Sequence, residues 1–300
     1  MKDVKNVNYY QVDHQVKQIL SKEGVKILTT PEAWEKYNWV RKYFDSKPRE
    51  GFFVWVKKQI DFPLSGCITI SSPKISQDLK NVLVVEKNLK VSVSVMCNAS
   101  RFDLCGTHAA QGKVILKKNS SLCYDHLQIW GEGDVVLPFY EFLLEKNSHL
   151  DYNFKNFFPP RKMKMKTSIR CLEKASVNLK ILMKAKSCEV DLVDEVFLEE
   201  DDSSAVIRLR VVGEKEGDVV AHTKLTAKSR AKGHIDCQGL LLDKNSNIRL
   251  IPELVSKDKD ATITHEASIG KISEEVLNYL MSRGLSEKEA VNLIVTGFLE

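Results

Sequence analysis

From Gly51 onward the apolar positions fall in short runs such as Phe52-Phe53-Val54-Trp55-Val56, Cys67-Ile68-Thr69-Ile70 and Val82-Leu83-Val84-Val85. In Lys90-Val91-Ser92-Val93-Ser94-Val95 polar and apolar residues alternate strictly, the period of a half-buried strand. A polar turn followed by a strand then recurs. Lys87-Asn88-Leu89-Lys90, Lys118-Asn119-Ser120-Ser121, Lys146-Asn147-Ser148-His149, Lys174-Ala175-Ser176 and Asp201-Asp202-Ser203-Ser204 start 31, 28, 28 and 27 positions apart. A β repeat of this length is the mark of a solenoid whose coils stack on one another. Short strands between polar turns also suit a β-sandwich, but the steady period favours a mainly β fold, a parallel right-handed β-helix over residues 51–263. Helical segments are expected at both ends, over 1–50 and 264–300. In the first, Val12, Val16, Ile19 and Leu20 fall at helical spacing, and Thr30-Pro31 opens a second helix carrying Trp34, Trp39, Val40, Tyr43 and Phe44. In the last, Ile272, Val276, Leu277, Leu280 and Met281 trace one apolar stripe that Gly284 ends, and Ser286-Glu287-Lys288-Glu289 is a capping box for a further helix.

The 300 residues are enough for a sizeable core, and 43% hydrophobic with 28% charged residues is ordinary for a soluble globular chain. A net charge of +5 is too mild to imply nucleic acid. Met1-Lys2-Asp3-Val4-Lys5 leads into no apolar leader, and no run of apolar residues is long enough for a membrane helix. A cytoplasmic location is therefore expected. Seven scattered cysteines make a poor disulfide framework and read as free thiols of a reducing compartment. No Gly-x-x-x-x-Gly-Lys-Ser/Thr phosphate loop is present, so the chain is not expected to hydrolyse ATP itself.

Two stretches carry candidate chemistry. Cys237 sits in Gly233-His234-Ile235-Asp236-Cys237-Gln238-Gly239, and 28 positions later comes His265, followed by Glu266. Upstream, Cys97 is followed by His108-Ala109-Ala110 and then Trp130. Taken alone, Cys237 reads as a small buried hydrophobe on a strand, and His265-Glu266 as a surface turn before a helix, its carboxylate near the helix dipole. The run from Cys237 through Ile251-Pro252-Glu253-Leu254 and Thr264-His265-Glu266-Ala267-Ser268-Ile269-Gly270-Lys271-Ile272 to Gly297-Phe298 resembles the C-terminal core of the SufB/SufD family of iron–sulfur cluster assembly scaffolds. The order and spacing of Cys97, His108 and Trp130 resemble SufB as well, while the N-terminal residues hardly match.

That resemblance implies a β-helix dimerising through its solenoid, a SufC-type ABC ATPase bound at the C-terminal region, a sulfur donor and recipient apoproteins. It implies a transiently assembled cluster of the [4Fe-4S] type. It also implies roles for Cys237 and Glu266 in building the cluster, for His265 as the SufD-type ligand, and for Cys97 as sulfur acceptor. The chain is shorter than bacterial SufB and has Thr264 where a glutamate is common, which points to a single-gene type working as a homodimer in a heterotetramer with two ATPase subunits. Thiolates hold iron–sulfur clusters, and histidine or carboxylate serve where the cluster must later leave. Cys105, near Cys97, is a further candidate ligand. The alternatives are a structural SufD-like subunit without a cluster, or a zinc protein using Cys105-Gly106-Thr107-His108 and Cys123-Tyr124-Asp125-His126. The zinc reading needs a turn inside each pair, because strand positions three apart face opposite ways. Cys67, Cys171 and Cys188 are expected in the core. Arg161-Lys162-Met163-Lys164-Met165-Lys166 reads as a solvated strand, and Glu199-Glu200-Asp201-Asp202 as an exposed turn.

Overall fold

A computed structural model describes residues 7–300. The strands in chain order are β1 (Tyr9–Val12), β2 (Gln15–Ile19), β3 (Val25–Thr29), β4 (Phe52–Val56), β5 (Leu64–Ile70), β6 (Ser76–Val85), β7 (Lys90–Ala99), β8 (Thr107–Leu116), β9 (Ser121–Ile129) and β10 (Val135–Leu144). They continue as β11 (His149–Phe158), β12 (Lys162–Cys171), β13 (Ser176–Lys186), β14 (Glu189–Leu198), β15 (Ser204–Glu214), β16 (Asp218–Ala227), β17 (Lys232–Leu241), β18 (Asn247–Ser256) and β19 (Thr262–Lys271). Successive strands go to alternate sheets. The first sheet is ordered β19-β17-β15-β13-β11-β9-β7-β5-β1-β2 and the second β18-β16-β14-β12-β10-β8-β6-β4-β3. Every pairing among β4 to β19 is parallel, so the chain is a parallel β-solenoid of about eight turns with two strands per turn.

The recurring turn is one corner of the coil. Asn88, Asn119 and Asn147 take left-handed backbone angles (φ 62°, 61° and 57°), and Lys174 and Asp202 repeat the conformation further on. Asparagine tolerates that region better than other non-glycine residues. Here it also stacks: Asn119 Nδ2 donates to Asn88 Oδ1 at 2.8 Å and Asn147 Nδ2 to Asn119 Oδ1 at 3.0 Å. Beside this ladder the buried Ser120, Ser148 and Ser203 each donate a hydroxyl hydrogen bond to the carbonyl three residues back, at 2.6 Å. The run Arg161–Lys166 splits by strand period, with Met163 and Met165 in the core and Lys162 outside, 2.7 Å from Glu189. Cys67, Cys171 and Cys188 are buried, as expected.

The N-terminal reading needs correction. Val12, Val16, Ile19 and Leu20 belong not to a helix but to the antiparallel β1–β2 hairpin and its end; the hairpin turns at Asp13 (φ 53°) and adds to the edge of β5. The end of a solenoid exposes a row of unpaired backbone groups, and pairing them outweighs the local helical spacing. The second expected helix exists but is short. α1 (Thr30–Lys36) has Thr29 as N-cap in a capping box with Glu32, and a 3₁₀ helix over Asn38–Tyr43 follows. Both lie on the outer face of the second sheet, where Phe53, Val82, Val84 and Ile115 pack with Ala33 and Val40. The first six residues of the expected 1–50 segment lie outside the described residues.

At the other end the solenoid continues to Lys271 rather than ending at 263. α2 (Glu274–Ser282) and α3 (Glu287–Phe298) follow, capped by Ser273 and by the expected Ser286–Glu289 box. From α3, Val295 packs with nearby Leu299 on Leu182, Val212 and Leu240 of the outer face of the first sheet. Val276, Tyr279, Met281 and Leu293 remain exposed on these helices. No described helix is long and apolar enough to cross a membrane.

Candidate functional site

Strand period decides where each candidate points. In β17, Ile235 and Cys237 face the interior; Cys237 is 1% exposed and its Sγ lies 3.9 Å from Thr223 Oγ1 of β16, on the opposite sheet. Burial pushes the Cys237 thiol up to about 11, against the Thr223 hydroxyl, while Asp194 and Asp236 raise it further and Arg210 opposes them. A thiol so placed stays protonated at neutral pH.

β19 lies beside β17 in register, with Ile235 opposite His265, Asp236 opposite Glu266 and Cys237 opposite Ala267. His265 and Glu266 are therefore strand residues, not turn residues. His265 occupies an inward position on the same side as Cys237, yet it is exposed because no further coil covers β19. Glu266 faces outward, among His234 (Nε2 to Oε1, 3.8 Å) and Asp236, which accepts from Arg210 Nη1 at 2.9 Å. His234 Nδ1 lies 2.8 Å from Thr264 Oγ1 on the same outer face. The one-coil separation of Cys237 from His265-Glu266 thus holds, but within one chain the thiol and the carboxylate lie on opposite sides of a sheet.

Cys97, in β7, is 3% exposed, and its thiol is raised far above the ordinary range by burial and then by Cys67. It pairs along the ladder with Gln128 of β9. Gln128 Oε1 accepts from Trp130 Nε1 at 3.0 Å, and its amide Nε2 donates to the Tyr140 hydroxyl at 3.3 Å. His126 Nδ1 lies 3.3 Å from the Tyr152 hydroxyl, and His108 Nδ1 lies 2.8 Å from Gln77 Oε1. Burial lowers His108 to about 4 and His126 to about 3, so both rings are neutral. Tyr124, Tyr140 and Tyr152 are all raised, first by burial, with the Cys97 charge among the further causes. Buried positions are ordinarily apolar; around Cys97 the interior is a polar and aromatic cluster.

That cluster extends toward Cys237. Tyr152 feels the charge of Asp194, and Asp194 raises Cys237. Asp194, on β14, is wholly buried and pushed up to about 7 by desolvation. The nearby Thr167 hydroxyl moderates that shift without reaching hydrogen-bond geometry. Asp194 is flanked in register by Thr167 of β12 and Thr223 of β16. Neither Asp194 nor Thr223 stood out in the sequence. The signal was available: in Glu189-Val190-Asp191-Leu192-Val193-Asp194-Glu195-Val196 the period of two puts a carboxylate between Leu192 and Val196 on the inner face.

Cys105 is exposed at a corner (φ 52°) just before β8, so the structure does not bring it into the interior beside Cys97. Its Sγ lies 2.4 Å from where a Cβ on Gly133 would sit, so the Cys105 side chain packs over that glycine. The zinc reading fails on geometry. His108 and His126 point into the core from opposite sheets, whereas Cys123 lies on the outer face and Cys105 at the corner. Among the described residues no group of three or more His, Cys, Asp or Glu side chains is arranged to hold a metal.

The chain is similar to known proteins over nearly its whole length. A family model described as "SUF system FeS cluster assembly, SufBD core domain" matches residues 68–298. An iron-sulfur cluster assembly SufBD family protein of Archaeoglobus fulgidus is 28% identical, covering 97% of this chain and 84% of the relative. One from Methanothermobacter thermautotrophicus is 27% identical (92% and 73%), and one from Pyrococcus horikoshii is 28% identical (96% and 69%). With the matched core running from β5 to α3 and holding Cys97 and Cys237, the chain belongs to the SufBD family and takes part in iron–sulfur cluster assembly.

Proposed function

We propose that this protein is a non-enzymatic scaffold on which sulfur, received at Cys97, and iron are joined into a transient cluster, of the [4Fe-4S] type, anchored by Cys237. The observation that carries this reading is the buried polar path. Of the five buried cysteines, Cys97 and Cys237 are linked by a run of buried polar side chains, Gln128, Tyr140, Tyr152, Asp194 and Thr223, set among the apolar residues of the core. Such groups cost stability and add nothing that leucine would not supply better, so their role is sought in chemistry. The Cys97 position suits a sulfur relay and the Cys237 position a thiolate ligand near the open end.

The end itself suits a second copy of the chain. β18 and β19 have free edges, and the inward positions of the last coil, Leu250, Leu254, Ile263 and Ile269, are only partly covered, with Ile269 at 45% exposure. Edge pairing with a partner's last coil would close the coil around His265 and bring the two Cys237 thiols toward one interface. The exposed Val276, Tyr279, Met281 and Leu293 form the surface on which a SufC-type ABC ATPase would dock, giving a heterotetramer of two scaffolds and two ATPases in the cytoplasm. Glu266 acts in this scheme as an outer-face, exchangeable ligand.

The test is anaerobic reconstitution of the parent, Cys237→Ser and Cys97→Ser, with iron and sulfide quantified after loading from free sulfide or from an enzymatic sulfur donor. Cys237→Ser is expected to lose most of the cluster under both conditions, since an alkoxide is a poor ligand for iron–sulfur centres. Cys97→Ser is expected to fail only with the enzymatic donor. Full iron and sulfide in Cys237→Ser would mean a scaffold whose cluster, if any, lies elsewhere, as in a structural SufD-like subunit.

A further inference from the structure

The middle of the solenoid holds polar atoms that the protein itself does not satisfy. Both carboxylate oxygens of Asp194, the Thr167 hydroxyl, and both amide atoms of Asn156 are sealed from solvent without a hydrogen-bond partner within the chain. These are five of the nine such atoms among the described residues, and they belong to three side chains. They also converge. Thr167 and Asp194 are ladder neighbours on the second sheet. Asn156 follows Gln128 on the first sheet, as Thr167 follows Tyr140 on the second. Because Gln128 reaches across to Tyr140, Asn156 faces Thr167 one coil further on. A single orphaned neutral group costs about 1–3 kcal/mol, and an ionised one more. Three residues with such atoms at one place in the core, on three strands, point to a shared ligand.

The chemistry of the donors says what would bind. A carboxylate, a hydroxyl and an amide carbonyl are all oxygen ligands, and no lysine or arginine is among the buried residues to balance Asp194. The ligand is a cation. Met183, the register partner of Asn156, and Leu192 and Val196 on either side of Asp194 are each at most 1% exposed, so a cation here would be held by protein donors and not by the water shell that magnesium retains. Toward the open end comes Thr223, the register partner of Asp194, and 3.9 Å beyond it the Cys237 sulfur. A metal that accepts oxygen ligands and then passes to a thiolate is a borderline first-row ion, and ferrous iron is the one this family's task requires.

We infer that Asp194, with Thr167 and Asn156, forms an internal holding site for ferrous iron one coil from Cys237. The inference rests on the scaffold reading but concerns different residues. The iron enters as cargo, is held by oxygen donors with no change of oxidation state, and moves past Thr223 to the thiolate. A carboxylate and two neutral donors make a weak site, as a transit site must be, where several thiolates would hold the metal irreversibly.

The test uses the full chain, chelator-treated and anaerobic, titrated with ferrous ion alone, without sulfide. Bound iron is measured by equilibrium dialysis and its ligand field by Mössbauer spectroscopy. The parent is expected to bind one high-spin ferrous ion with oxygen-dominated parameters. Asp194→Asn, nearly isosteric, is expected to weaken that binding at least tenfold. Thr167→Val should weaken it severalfold. Circular dichroism of each variant checks that the solenoid is folded. Unchanged iron affinity in folded Asp194→Asn overturns the inference, and so does equal occupancy by magnesium in competition. The scaffold reading fails differently. Iron held through Asp194 without any cluster forming when sulfide is added would leave the holding site standing and remove Cys237 as the anchor. A cluster forming at Cys237 with Asp194→Asn indifferent to ferrous iron would do the reverse.

Discussion

Replacing Asp194 by asparagine should change how stability depends on pH in a way that the structure fixes in sign and size. The Asp194 carboxyl is pushed from an ordinary 3.8 to about 7 by burial. In the metal-free folded protein it therefore holds its proton over a range in which the unfolded chain has lost it. Stability from this group is fully present below pH 3.8, falls as pH rises, and is exhausted above about 7. At roughly 1.4 kcal/mol per pH unit, the whole shift corresponds to about 4 kcal/mol, of which about 3 kcal/mol is lost between pH 5 and 8. The asparagine side chain cannot ionise, so the variant should lack this slope, and its stability relative to the parent should rise by about 3 kcal/mol between pH 5 and 8. The assay is equilibrium urea unfolding of both proteins at pH 5, 6, 7 and 8, with chelator and constant ionic strength, comparing midpoints at an unchanged m-value. A parent–variant difference that is flat across that range would show that Asp194 is not the dry, uncompensated carboxyl described above.

Three further outcomes follow from separate parts of the molecule. Asn119→Ala removes two rungs of the asparagine ladder and leaves an alanine at φ 61°; it should cost about 2 kcal/mol in urea unfolding, and a neutral result would make the ladder decorative. Ile269→Lys places a charge on the open last coil and should convert the proposed homodimer to a monomer in analytical ultracentrifugation without lowering the melting temperature of the solenoid; a persistent dimer would move the interface elsewhere. Deleting residues 273–300, or the milder pair Tyr279→Ser and Leu293→Ser, should abolish co-purification with a SufC-type ATPase, and undiminished binding by the double variant would reject the helical docking surface.

How far the sequence spoke depended on whether a signal was local or had to be repeated to be seen. The coil period was legible because each corner needs the same left-handed residue and each strand the same alternation, so Asn88, Asn119 and Asn147 recur wherever the backbone turns. The capped C-terminal helices were legible for the same local reason: Ser286 and Glu289 satisfy backbone groups within one turn. The β1–β2 hairpin was not, because Val12, Val16 and Ile19 follow helical spacing, and only the unpaired edge of β5 makes the extended form better.

The site divides along the same line. Cys97 and Cys237 stood out as candidates from their surroundings in the sequence, and strand period alone sends Cys237 inward and Glu266 outward. Which groups meet across the interior depends on how two sheets from distant residues face each other. Gln128 reaches Tyr140, and Thr223 reaches Cys237, only because sequential strands are dealt to opposite sheets and stacked one coil apart. Linear spacing fixes the face on which a side chain lies, whereas the partner across the core, and with it the burial that moves Asp194 and Cys237 so far from their ordinary ionisation, is set only when the coil closes.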